Sequence, residues 1–322
     1  MRSIAWAVSD VGRKRDHNED SHLADEGLGL FAVADGMGGH QGGDRASGLA
    51  VEVLQREVAN AVAKHGDIEA AASEVLRTDP LQPVWAREPT LPVALVVAPA
   101  ELPAAPPPGL VRWGEGAEVS FEEDAPYDEL GDMPTDPSLT LVPPAAATLL
   151  RAAARAAGRI IFDAAQSDPL LQGMGTTLTA LLLHGDRAHV VHVGDSRAFL
   201  IREGVAIQLT EDHSWIAEQL RAGLISEDEA RESKFRHIIT RSVGFEREVS
   251  VDLVGVPIVA GDCFLLCSDG MSNHVTPEEI GRVVASTWYA KVPGLLVDLA
   301  NDRGGDDNIT VVLVYAANEA DA

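Results

Sequence analysis

Residues Phe31–His40 read FAVADGMGGH, an apolar run that stops at Asp35 and passes at once into Gly36. An acid at the end of a buried strand with glycine behind it lets the backbone turn sharply and aims the carboxylate away from the strand end. The same arrangement recurs in VVHVGDSRAFL, which carries Asp195, in CFLLCSDGM, which carries Asp269, and in GGDDNITVVLV, which carries Asp307. One such Asp is a turn residue. Four of them, each capping a different apolar run, predict a fold that gathers carboxylates into one cleft.

Working outward, the apolar runs are short and strand-like. They predict strands over Ser3–Asp10, in a pair ending at Asp35, and over Thr177–Leu183, His189–Val193, Ala198–Arg202, Cys263–Cys267 and Ile309–Tyr315. A helix is expected from Asp44 onward, where Ala46, Leu49, Val53 and Leu54 share one face, and another over Ala145–Ala165. Further helical stretches are expected near 214–232 and near 277–300, the latter opened by Pro277 and Glu278. The class is α+β, with antiparallel strands and helices on their outer faces. Between about 67 and 144 the pattern breaks: 14 of the 18 prolines fall there, and Glu115–Asp136 holds nine acids and no base. Proline blocks helices and like charges repel, so a flexible insertion is expected. Within it, Pro92–Ala98 (PVALVVA) is apolar enough to dock on the core as an extended segment.

The formal net charge is −25, from 50 acids and 25 bases, which argues against nucleic acid and anionic membranes as partners. The only cysteines, Cys263 and Cys267, lie four apart on one strand, about 13 Å from each other and beyond disulfide reach. Reduced thiols, an opening (MRSIAWAVSD) without a signal-peptide run, and no 18-residue apolar span lead us to expect a cytoplasmic protein.

Several chemistries fail on spacing. The glycines after Asp35 miss the dinucleotide pattern at Gln41, and no phosphate-loop lysine motif occurs. Cys267 has Asn273 where a cysteine phosphatase needs arginine, and Ser268 lacks a nucleophile-elbow context. No His spacing suits zinc. Oxygen donors remain. Carboxylates with a glycine carbonyl suit Mg²⁺ or Mn²⁺, and a pair of such ions favours attack of a hydroxide on phosphorus. Arg15, in GRKRDHNED beside Glu19 and Asp20, offers the fork that grips phosphate.

Eight segments, GRKRDHNED, ADGMGGH, GMGTTLTA, VGDSRAFL, LTEDHSW, ITRSVG, LLCSDGM and DDNITVVLV, occur in the order found in the metal-dependent protein Ser/Thr phosphatases of the 2C type, and most resemble the bacterial branch. The resemblance spans about 1–66 and 145–316. It implies one phosphatase domain over 1–316, with a tail at 317–322, built as a four-layer α-β-β-α sandwich of two antiparallel sheets flanked by helices. It implies two Mn²⁺ or Mg²⁺ ions held by Asp35, the Gly36 carbonyl, Asp269 and Asp307, with Asp306 a rival for the last. It further implies Glu19 acting through metal-bound water, Arg15 binding the phosphate, and Asp195 with Asp212 at a third ion. The reaction implied is direct attack by a metal-bridging hydroxide on phosphoserine or phosphothreonine. For the leaving-group proton, Met37 stands where eukaryotic members carry histidine, and His40 is the nearest alternative. Segment 213–240 matches a flap tied to substrate choice. The partners implied are phosphorylated proteins, a Ser/Thr kinase or its substrates, met by a monomer. A phosphatase that has lost its activity and a metallonuclease are the rival readings; the first is disfavoured by the intact ligand set and the second by the charge.

Overall fold

Strand residues buried on both faces divide by parity, and that division builds the layers. In β3 (Leu30–Met37), Leu30, Ala32 and Ala34 belong to one apolar cluster, while Phe31 and Val33 belong to another. In β12 (Ile309–Ala317), Ile309, Val311 and Leu313 face a third cluster, and Val312, Val314 and Ala316 join Phe31 and Val33. Side chains alternate across a strand, so a run that is apolar at every position is a strand covered on both faces. Burying each such Leu or Phe contributes about 1.5–3 kcal/mol. Three clusters separate four layers.

The computed structural model describes residues 2–38, 42–78, 111–113, 145–226, 229–230, 233–235 and 238–317. One sheet runs β1 (Arg2–Asp10), β12, β11 (Cys263–Cys267), β8 (Arg197–Arg202), β9 (Val205–Gln208). The other runs β2 (Asp20–Asp25), β3, β6 (Leu178–His184), β7 (Arg187–Val193), β10 (Asp252–Pro257), β4 (Val111–Trp113), with β5 (Gly175–Thr176) paired to β3. Every pairing between these strands is antiparallel. Helices α1 (Gly43–His65), α2 (Ile68–Thr78) and α3 (Ala145–Ser167) cover the second sheet. The first sheet is covered by two helices near the C-terminus, described below. The expected four-layer sandwich is therefore the architecture found.

Four stretches differ from expectation. The stretch assigned to the start of a flexible insertion is α2, whose Ala71 and Ala72 are buried in the same cluster as α1 and α3. The docked segment among the described residues is β4, which adds to β10 with Leu253 opposite Trp113; Pro92–Ala98 lies outside the described residues. Near 214–232 the expected helical stretch is broken: α4 (Trp215–Arg221), capped by Ser214, ends before Gly223, whose φ of +66° glycine adopts readily, and residues 229–230 are helical again behind Ser226, whose Oγ accepts from Glu229 N at 3.3 Å. The run 277–300 is two helices, α6 (Pro277–Ser286) and α7 (Val292–Asp302), with α5 (Asp269–Ser272) a single turn before them. Pro293 lacks the N–H that a helix interior requires, so it opens α7 instead of continuing α6.

Candidate active site

Asp35 lies near the end of β3, directly opposite Asp20 on β2. Its backbone is clamped from the neighbouring segment: Thr177 Oγ1 accepts from Asp35 N at 2.8 Å, and Thr176 Oγ1 and Thr177 N both donate to Asp35 O at 2.9 Å. Thr177 Oγ1 also meets Ser196 Oγ at 2.7 Å, next to Asp195 in the β7–β8 turn. The threonines of GMGTT and the serine of GDSR thus hold two of the four Asp-bearing strand ends in register.

The other two ends come from the first sheet. Asp269 follows β11 and Asp307 precedes β12, and Asn308 fastens the N-terminal loop to them. Asn308 Nδ2 donates to the carbonyls of Val11 and His17, each at 2.9 Å, and its Oδ1 accepts from Glu19 N at 2.9 Å. That loop carries Arg15, whose Nη2 donates to Asp307 Oδ2 at 2.7 Å, while Lys14 pairs with Asp306. Asp20 Oδ2 accepts from Ser268 Oγ at 2.8 Å, linking β2 to the Asp269 turn.

The glycines behind Asp35 and Asp269 serve close approach and not a left-handed turn. A Cβ at Gly36 would stand 2.1 Å from Gly43 O and 2.6 Å from Glu19 O. At Gly270 it would stand 2.1 Å from Asn308 O. Neither residue has positive φ. Their backbones are pressed against the neighbouring segment, and no side chain fits.

These residues line a cleft of about 1380 Å³ between the strand ends and a wall from 239–250. Arg15, Glu19, Asp35, Gly36, Asp195, Asp269 and Asp307 all line it, as does Asp306. Asp212 does not. Both its oxygens are taken by Arg197, at 2.9 Å from Nε and 2.7 Å from Nη2, while its charge still reaches Asp195. His40 lies outside the described residues. Asp20 and Asn308 were not singled out from the sequence. Asp20 had a signal, since it follows Glu19 at the mouth of a strand; Asn308 had only its place after Asp307.

Electrostatics marks the cluster as strained. Burial, and then the charges of Asp20, Asp269, Asp195 and Asp307, push the Asp35 carboxyl well above the usual range. Asp195 is raised by burial, then by Asp269 and Asp212. Asp20 rises to about 7, first through burial and then through Asp269 and Asp307, against the hydrogen bonds of Thr310 and Ser268. Carboxylates this close and this dry cannot all ionise without a counter-charge. Among the described residues no three His, Cys, Asp or Glu side chains form a ready-made ligand cluster. Arg15, Asn273 and Ser268 instead occupy oxygens of Asp307, Asp269 and Asp20. Yet Asp20 Oδ1 and Asp195 Oδ1 are buried without a hydrogen-bond partner, an unfavourable arrangement for a carboxylate oxygen. Oxygen donors in excess negative charge, some buried and unpartnered, fit hard divalent cations.

The family model described as Protein phosphatase 2C matches residues 145–219. The chain is 30% identical over 310 residues to the serine/threonine phosphatase stp of Listeria monocytogenes serovar 1/2a, covering 95% of this chain and 93% of that protein. A serine/threonine phosphatase structure from Mycobacterium tuberculosis, PstP/Ppp, superimposes with a TM-score of 0.67 at 29% identity, covering 99% of this chain and 100% of that one. A second structure, the PstP catalytic domain in complex with two manganese ions, gives a TM-score of 0.64 at 28% identity over 98% of this chain and 99% of that one. With this likeness running nearly end to end over the sandwich and the cleft, the chain belongs to the protein phosphatase 2C family.

Proposed function

We propose that the chain hydrolyses phosphoserine and phosphothreonine on proteins with two divalent ions, manganese or magnesium, held by Asp35, the Gly36 carbonyl, Asp269 and Asp307. The observation that carries this reading is the meeting of these carboxylates from both sheets in one cleft, with oxygens of Asp20 and Asp195 left buried and unpartnered. Two such ions, when bound, supply the Lewis acidity that water attack on phosphorus requires.

The chain's own groups do the rest. Asp35 is fixed by three backbone hydrogen bonds and keeps its carboxylate at the shared end of the sheets. Arg15, held at the rim by Asp307 and 45% exposed in its side chain, presents a planar fork to the phosphate. Glu19, buried beneath the same loop, would act on the ions through a shared water. The leaving serine or threonine oxygen needs a proton. His40 is the candidate from the sequence, and His17 and His274, which line the cleft, join it.

In the cell the counterpart is a Ser/Thr kinase, and the enzyme works as a cytoplasmic monomer. Cys263 and Cys267, both buried and unpaired, suit a reducing compartment. No helix among the described residues is long and apolar enough to cross a membrane. The test is hydrolysis of p-nitrophenyl phosphate and of a phosphothreonine peptide: both proceed with Mn²⁺, and both stop with a chelator. Turnover that persists after exhaustive chelation contradicts the reading.

A further inference from the structure

Among the described residues, three side chains with a permanent positive charge line the cleft: Lys14, Arg15 and Arg241. Lys14 and Arg15 are paired inside it, with Asp306 and Asp307. Arg241 differs. Its Nη1 donates at 2.9 Å to Asp252 Oδ1, and Asp252 does not line the cleft. That bond takes one of the five N–H donors of the guanidinium, and the side chain remains 40% exposed.

Asp252 is itself anchored. Gly194 N donates to His213 Nδ1 at 3.1 Å, which leaves the proton on Nε2, and Nε2 donates to Asp252 Oδ2 at 3.1 Å. The His213 backbone is tied on both sides, its N–H to Gly194 O at 2.7 Å and its carbonyl to Thr240 N at 2.8 Å. Burial pushes the Asp252 carboxyl up, but the His213 bond and the Arg241 charge outweigh it and leave it below its ordinary value. An ionised Asp252 on a rigid histidine makes a fixed post for Arg241. Beside Arg241 on the same wall stands Phe245, 57% exposed, its ring packed where a Cβ on Gly175 would intrude at 2.6 Å.

The cleft, at about 1380 Å³, exceeds the roughly 300–1,000 Å³ that small ligands occupy, so it has room for residues flanking a phosphoserine. We propose that Arg241, held by Asp252 and His213, is a specificity-determining residue that binds an anionic group on the substrate chain close to the phosphate being removed. That group is a carboxylate side chain or a second phosphate; Phe245 supports the intervening peptide. The inference rests on the phosphatase reading above and adds to it the charge of the neighbouring substrate residue.

The experiment compares kcat/KM on phosphothreonine peptides that differ at one flanking position: Gln, Glu, phosphoserine or Lys. Wild type is expected to favour Glu over Gln by about three- to five-fold, the scale of an exposed ion pair, and phosphoserine by more. In Arg241→Gln the Glu/Gln ratio falls to about one, and Arg241→Lys recovers part of it. In Arg241→Glu the order reverses, and the Lys peptide becomes the better substrate. A merely structural role would lower all peptides alike and reverse nothing. Preference for phosphoserine alone assigns the subsite to a second phosphate; preference for both assigns it to anions in general. Wild-type turnover that is indifferent to the flanking charge, or an unchanged ratio in Arg241→Gln and Arg241→Glu, overturns this inference alone. No hydrolysis of any phosphopeptide by wild type overturns the phosphatase reading with it.

Discussion

Asp20 and Asp35 face each other across an antiparallel pair, and burial with the charges of neighbouring carboxylates, Asp269 and Asp307 for both, holds both protons more tightly than usual. Replacing one of these acids therefore separates function from stability. Asp35→Asn removes a proposed ion ligand but also removes a buried charge, and its amide can donate to the neighbouring carboxylates. Aryl phosphate hydrolysis is expected to fall on the order of 100-fold or more. In chelator, the folded protein is expected to gain about 1–3 kcal/mol in urea denaturation, the trade found when a charged site is neutralised. A variant that loses stability and keeps activity contradicts this. Asn308→Ala deletes three hydrogen bonds, to Val11 O, His17 O and Glu19 N, and leaves those backbone groups partly buried. A loss of about 2–4 kcal/mol is expected, with a raised KM because the Arg15 loop loosens. The glycines after Asp35 and Asp269 show what sequence reading misses at this scale. Their adjacency to the acids is visible in the sequence and suggests turn formation, but neither glycine has positive φ. The crowding by Gly43 O and Asn308 O exists only once distant segments meet.

At the scale of elements, the strands were legible as continuous apolar runs because every strand in the middle of a sheet is buried on both faces; which cluster each face joins was not, since such runs carry no alternation. The misreading at 67–144 has a physical cause. The first proline there is Pro80, so Ile68–Thr78 precedes the proline-dense stretch and keeps the Ala, Glu and Leu content of a helix. Ala72→Asp tests whether α2 belongs to the domain. It places a charge between α2 and the α1–α3 face, and a loss of about 3 kcal/mol or more in denaturation is expected. An unchanged midpoint would detach α2 from the core. Asp212 was legible as a motif residue, but its capture by Arg197 was not, because Arg197 stands on β8 and the contact depends on how the following chain returns.

For the molecule as a whole, the cleft is a store of unfavourable charge. Asp20 titrates at about 7 in the folded chain against 3.8 ordinarily, so between those values the folded state binds more protons than the unfolded one. Stability contributed by that proton is present below pH 3.8 and is lost as pH rises toward 7; Asp35 and Asp195 shift in the same direction. In chelator the melting temperature is expected to fall as pH rises from about 5 to 7.5, and saturating Mn²⁺ should flatten that slope by replacing the protons. A metal-free slope of opposite sign contradicts the electrostatic account. The family resemblance and the sandwich rest on eight motifs spread over about 1–66 and 145–316, and for that reason they were legible in the sequence. What the sequence could not show is which oxygens remain without partners once the sheets close. The most direct test of the central claim is isothermal titration calorimetry with Mn²⁺ on wild type and on Asp35→Asn, Asp269→Asn and Asp307→Asn. The account predicts two ions per wild-type chain and loss of at least one in each variant; a wild type that binds none, or variants that bind two as before, would contradict it.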